Sequence, residues 1–345
     1  GAYLTGIGAD GKSRDYIDWV QGLGGAGIFG HSERMVRPFN PHLPTKHETR
    51  LAGLFAEILP WAEQIRLCLK GTDAVAGAVR LARAVTDRND IAIFKGAYHG
   101  ASTGDWFYSS QQPARGCDDT VYAPWVLDWN TLTLYTDRSL AAIVFEVGLE
   151  DPTPEFVDTL HKARDAGCLL IADEVVTGFR LGMTGACGRY GIKPDLACYG
   201  KALGSGMPIA VLAGRKELMR EFDLAHTSEP VFMSFTHAGN WASVESALLT
   251  LEKMLSKPEC FKVISRVGEW LSSKFNTVRE SLSLASVCKA KGQPERSSFW
   301  FSEELYRSIF IQNACKSGVL FGIPNFPTIA HNDSEILDKT ELAIS

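Results

Sequence analysis

Between Leu51 and Ala242 the chain repeats one pattern: a run of four or five apolar, β-prone residues, a turn signal, then a helix-like stretch. The runs are Ile91–Phe94, Ala141–Phe145, Cys168–Ala172, Leu196–Tyr199 and Ile209–Ala213. They are apolar throughout rather than alternating, as strands buried on both faces must be. Residues 73–86 carry Val75, Ala78, Val79, Ala82 and Val85 at helical spacing. Strands that alternate with helices predict an α/β fold, a mostly parallel sheet covered by helices. Beyond it, Ser243–Leu255 reads as a helix, and the tail mixes Phe299–Phe301, a helix near Tyr306–Lys316, and Gly318–Phe321. The expected division is an N-terminal segment (1–50), a large domain (51–245) and a smaller α+β domain (246–345).

Charge and cysteine content narrow the function classes. Lys and Arg number 35 against 40 Asp and Glu, a net −5, so no positive field exists to hold nucleic acid or an anionic membrane. No apolar stretch reaches the roughly 20 residues that cross a bilayer, and no signal-peptide pattern opens the chain. It starts at Gly1 rather than Met, as a trimmed product would. The eight cysteines come no closer than Cys187 and Cys198, so no C-x-x-C motif exists. They read as reduced, structural thiols, which favours a cytoplasmic compartment. Gly22, Gly24, Gly25, Gly27 and Gly30 lack the spacing of a dinucleotide fingerprint.

Ligands of open parallel sheets bind outside the carboxyl ends of the strands. That rule places four motifs on one rim. Asp173 ends the run Cys168–Ala172; Lys201 follows Leu196–Tyr199; Gly71-Thr72 precedes the helix at 73–86; Tyr98-His99-Gly100 follows Ile91–Phe94. A carboxylate deep at a strand end needs a cationic partner. A lysine at a neighbouring strand end supplies that charge, or forms a Schiff base with an aldehyde. Gly-Thr at a helix start offers N–H groups and a hydroxyl to a phosphate, and an aromatic ring stacks on a flat heterocycle. Aldehyde, phosphate, ring nitrogen and flat face together describe pyridoxal 5′-phosphate.

The same residues carry a family resemblance. Asp173-Glu174-Val175-Val176-Thr177-Gly178-Phe179-Arg180, Lys193-Pro194-Asp195-Leu196 and Gly200-Lys201-Ala202-Leu203-Gly204-Ser205-Gly206-Met207-Pro208 resemble class III aminotransferases. Lys70-Gly71-Thr72-Asp73-Ala74, Gly96-Ala97-Tyr98-His99-Gly100 and Ser234-Phe235-Thr236 add to the likeness, which runs nearly the whole length. Within the class the chain is most similar to the branch of glutamate-1-semialdehyde 2,1-aminomutase and its aminotransferase relatives. The resemblance implies a fold-type I enzyme with a seven-stranded sheet in the large domain and a small domain built from both chain ends. It also implies a homodimer with residues 1–50 contributing to the interface. By position, Lys201 would form the Schiff base and Asp173 would pair with the pyridinium nitrogen. Val175 and Tyr98 would sandwich the ring, Gly71 and Thr72 would hold the phosphate, and Thr236 would join from the partner subunit. His99 is a candidate for cofactor or substrate contact, with a structural histidine as the alternative.

Three departures bear on the reaction. Val176 stands where many class III aminotransferases carry Gln, and the aminomutase branch is also apolar at this point. Ile323-Pro324-Asn325-Phe326-Pro327-Thr328 lacks the acid of the aminomutase's Ser-x-x-Glu-like stretch. Trp241 replaces the family's Pro in Gly239-Asn240-Trp241. The leading expectation is an aminotransferase moving an amino group from a small-molecule donor to a carbonyl acceptor. The alternatives are an aminomutase or epimerase using the same Lys201, and, remotely, a silent scaffold. Glu174 and Arg180 read as structural residues.

Overall fold

The computed structural model describes residues 1–7, 12–19, 28, 45–94, 97–100, 125–127, 140–223, 225–235 and 237–345. Two compact units are distinguished, one of residues 36–148 and 152–252, the other of 1–35, 149–151 and 253–345.

The first unit is built on a seven-stranded sheet. Its strands are β3 (Gln64–Cys68), β4 (Ile91–Phe94), β5 (Trp125–Leu127), β6 (Ala142–Phe145), β7 (Leu169–Glu174), β8 (Leu196–Tyr199) and β9 (Ala210–Gly214), in the order β3-β9-β8-β7-β6-β4-β5. Every pairing from β8 through β5 is parallel, and β9 alone runs against its neighbours β8 and β3. The apolar runs of β4, β6 and β8 are buried at every position, as strands covered on both faces require. β7 ends two residues beyond the point its hydropathy suggests. Pairing continues through Asp173↔Cys198 and Glu174↔Tyr199, so Asp173 lies within the strand rather than after it. Helix α1 (Lys46–Ile58) begins at Thr45, which exchanges capping hydrogen bonds with Glu48. Helix α2 (Gly71–Thr86) lays Ala74, Val75, Ala78, Val79, Leu81 and Ala82 into the core, and these small side chains let it lie close over the sheet. Helix α3 (Pro154–Asp165) starts from Thr153 with Pro154 at its first position. Helices α4 (Gly185–Tyr190) and α5 (Lys216–Met219) are short, and α6 (Trp241–Ser256) follows.

Asp195 fastens the amino ends of β7 and β8. Its Oδ2 accepts from the Leu170 N–H at 2.8 Å and its Oδ1 pairs with Arg215 at 2.8 Å. The Lys193-Pro194-Asp195 motif is thus a structural clamp at the end of the sheet opposite Asp173.

The second unit joins both ends of the chain. Strands β1 (Tyr3–Ile7) and β2 (Ser13–Asp18) form an antiparallel pair extended by β12 (Val319–Leu320), parallel to β2. A hairpin of β10 (Cys288–Gln293) and β11 (Arg296–Phe301) packs with α7 (Cys260–Ser281), α8 (Glu304–Lys316) and α9 (Ser334–Ile344). Its core is aromatic, with Phe275 stacked on Phe299 at 4.0 Å between ring centroids. Trp19 stacks on His331 at 4.0 Å and donates to Thr340, so the N-terminal chain is tied to the C-terminal one through a fully buried polar group. Among the described residues no helix is long and apolar enough to cross a membrane.

Candidate active site

Asp173 is 6% exposed and both its oxygens are held. Oδ1 accepts from the Val175 N–H at 3.1 Å and Oδ2 lies 2.8 Å from Nδ1 of His99, itself 3% exposed. A carboxylate this buried is tolerated because its lone pairs are met by donors rather than by water. His99 reaches it from the segment that follows β4, 74 residues away in sequence.

The neighbouring acid has a different task. Glu174 is fully buried and accepts from the Thr177 hydroxyl and from the Ala186 and Cys187 N–H groups at 3.0 and 2.7 Å. Burial pushes its carboxyl above the usual range, against the pull of these hydrogen bonds. Gly185, at φ +67°, leaves the carboxylate its space, since a Cβ there would fall 2.5 Å from Oε2. Glu174 therefore anchors the turn after β7 onto α4, a structural role matching its reading from sequence.

Lys201 opens a short 3₁₀ turn, Lys201–Leu203, two residues beyond β8. Its φ is +40°, the left-handed region that residues with a Cβ seldom occupy. Ser205 and Phe179 share that conformation at φ +44° and +56°. Backbone strain of this kind persists where the surroundings over-determine it, and it concentrates at functional sites. Here the Ser246 hydroxyl on α6 donates to the Gly204 carbonyl, fixing the far end of the turn.

Val175 lies between two glycines. A Cβ at Gly71 would come within 2.7 Å of a Val175 methyl, and one at Gly200 within 3.3 Å. Gly71 is also the first residue of α2, whose N-cap Lys70 makes no side-chain capping bond. The main-chain N–H groups of that first turn are the ones a helix leaves without internal partners. Thr72 packs against Gly100, at φ +102°, where a Cβ would fall on the Thr72 hydroxyl. Tyr98 is 55% exposed, so one ring face is open to a flat partner. Gly71, Val175 and Gly200 thus sit together, as do Thr72 and Gly100, and Asp173 with His99. Thr236 lies outside the described residues; His47 accepts from Trp241 Nε1 at 3.2 Å.

Pyridoxal phosphate suits this set. Gly71 and Gly200 let the Val175 side chain lie against the main chain beside the lysine turn, an apolar surface for a flat ring; the first turn of α2 presents main-chain donors to a phosphate, and the held carboxylate suits a protonated ring nitrogen. Two contributors, Ser246 and Gly200, were not singled out from sequence. Ser246 gives no signal because its partner is a main-chain carbonyl; Gly200 had one, since a glycine beside the lysine marks a close backbone approach.

The family model described as Aminotransferase class-III matches residues 129–323. The glutamate-1-semialdehyde 2,1-aminomutase of Deinococcus radiodurans is 32% identical over 320 residues, covering 83% of this chain and 70% of that protein. The enzyme of the same name from Deinococcus deserti is 32% identical, covering 100% of this chain and 88% of its own length. Among solved structures, the β-phenylalanine aminotransferase of Variovorax paradoxus superposes with a TM-score of 0.85 at 25% identity, covering 100% of this chain and 84% of that one.

Proposed function

The chain belongs to the class-III aminotransferase family, and on that premise we propose that it moves a substrate amino group with pyridoxal 5′-phosphate bound at the carboxyl ends of β7 and β8. The observation that carries this reading is Asp173, a nearly buried carboxylate held by Val175 and His99 beside a strand that leads into a strained lysine. When bound, the cofactor supplies an aldehyde that takes up the amino group and a ring that accepts the electron pair released at the substrate α-carbon. Asp173 offers the fixed negative charge that keeps the ring nitrogen protonated. His99 acts through Asp173 and is a positioning residue. Lys201 tethers the aldehyde and, once free, its amine carries the proton to and from the substrate α-carbon. Gly71 and Thr72 hold the phosphate, with Thr236 supplied by a second copy of the chain in a homodimer. Val175 and Tyr98 take the two ring faces.

Within the family the amino group either shifts along one carbon skeleton or passes to a second carbonyl compound. The first is favoured here: two relatives matched at 32% identity carry the aminomutase name, and Val176 is apolar as in that branch. This reverses the order expected from sequence, where intermolecular transfer led. The second reading keeps one specific support, the acid-free stretch Ile323–Thr328. The two are separated by labelling the substrate amino nitrogen and adding unlabelled donor. Retention of label in the product is expected; exchange into the donor pool would leave transfer between molecules as the reaction. Borohydride reduction of the loaded protein should attach the cofactor to the peptide containing Lys201, and Lys201→Ala should lose both label and turnover while staying folded. Label on another peptide would remove Lys201 from its role.

A further inference from the structure

The second unit holds a cavity that the proposed reaction does not use. It has a volume of about 410 Å³ and lies among the last turns of α7, the 282–288 connection, the end of β11, the start of α8 and the end of α9. Phe275, Phe301 and Phe310 form its floor. Its rim exposes Leu282 at 57% and Ile309 at 49%, a high toll of apolar surface in water for one small area. That volume falls within the range of pockets that enclose small molecules, and such pockets pair apolar walls with a few placed polar groups.

One lining residue carries charge. Arg279, in the last turn of α7, reaches the cavity with a guanidinium whose side chain is 19% exposed. One of its terminal nitrogens pairs with Glu280, a carboxylate 69% exposed. A guanidinium that keeps part of its surface at the wall of an apolar cavity is met best by a carboxylate, which takes two of its N–H groups at once. The Tyr306 phenol also lines the cavity, and among the described residues no acidic side chain does. We propose that this cavity binds a medium-chain aliphatic carboxylate, tail against Phe275, Phe301 and Phe310, head on Arg279.

The proposal stands apart from amino-group transfer and is tested on the full chain by calorimetric titration with straight-chain acids from hexanoate to dodecanoate, each below its micelle concentration. Affinity should rise roughly fourfold per methylene, then level off as the cavity fills. Arg279→Gln should weaken decanoate binding about tenfold and leave decanol nearly unchanged. Ile309→Asp, at an exposed rim position, should abolish binding of both. No binding by the longest acids overturns the proposal. An equal effect of Arg279→Gln on acid and alcohol overturns the assignment of the head. Should ultracentrifugation show self-association that Ile309→Asp removes, with no acid bound, the occupant is a second copy of the chain and the proposal fails.

Discussion

At the scale of single residues, the site depends on donors to Asp173. His99→Leu would leave Oδ2 with no imidazole while Oδ1 kept the Val175 N–H. A hydrogen bond to a buried charge is worth about 1.5–3 kcal/mol, so kcat should fall roughly tenfold to a hundredfold. His99→Asn retains a short donor and should recover part of that loss. A merely structural histidine would not move the pH titration of the bound cofactor's visible absorption; His99→Leu should shift it, because the carboxylate holding the ring proton has lost a partner. Tyr199 gives the opposite case. Its ring packs on Phe55 and Phe179 at 5.5 and 5.3 Å, yet its hydroxyl is buried with no hydrogen-bond partner among the described residues. Tyr199→Phe removes only that group, so the urea midpoint should stay level or rise by an amount equivalent to about 1 kcal/mol. A loss of that size would mean the hydroxyl is bonded after all.

At the scale of elements, the start of α2 and the turn after β7 are fitted to each other through Val175. Gly71→Ala would press a Cβ onto its methyls at 2.7 and 2.8 Å, an overpacking that costs about 1–3 kcal/mol and displaces one face of the cofactor site. Val175→Ala makes room, so the double variant should recover stability that the single variants lose. Simply additive urea midpoints would deny the contact. The elements also show what sequence could and could not disclose. β4 and β8 were read at their observed bounds because apolar runs punctuated by turns have few other interpretations. β7 was cut short because hydropathy stops at Asp173, whereas strand pairing follows the main chain and continues to Glu174. β3 escaped notice because Gln64 and Arg66 interrupt its apolar positions, as the edge of a sheet permits. The strand-end rule placed Asp173 and Lys201 at the ends of β7 and β8, where the chain has them, but no local pattern announces that His99 meets the acid, or that Glu174 is enclosed by main-chain donors from α4.

Over the whole molecule, the described residues proposed to hold the cofactor belong to one unit, and both chain ends belong to the other. Hydropathy along a chain cannot reveal the latter, since β12 joins β2 across roughly 300 residues of intervening sequence. Both units share one consequence of burial. Burial pushes the Cys68 and Cys168 thiols up from 9.0 to about 12, and Cys260 to about 11, with a nearby Asp73 adding to the rise at Cys68. Between the unfolded and folded values the unfolded chain has shed protons that the native one retains. Stability therefore stands in full below about pH 9 and declines as pH rises toward 12, at about 1.4 kcal/mol per pH unit for each such thiol at most. The decline should set in before tyrosines and lysines titrate, and urea midpoints measured from about pH 8 to 10 would follow it. Cys68→Ala and Cys168→Ala will cost stability at every pH through lost packing, but each should flatten the alkaline slope. Slopes identical to that of the unaltered chain would mean that these thiols ionise as freely in the fold as outside it, against their burial.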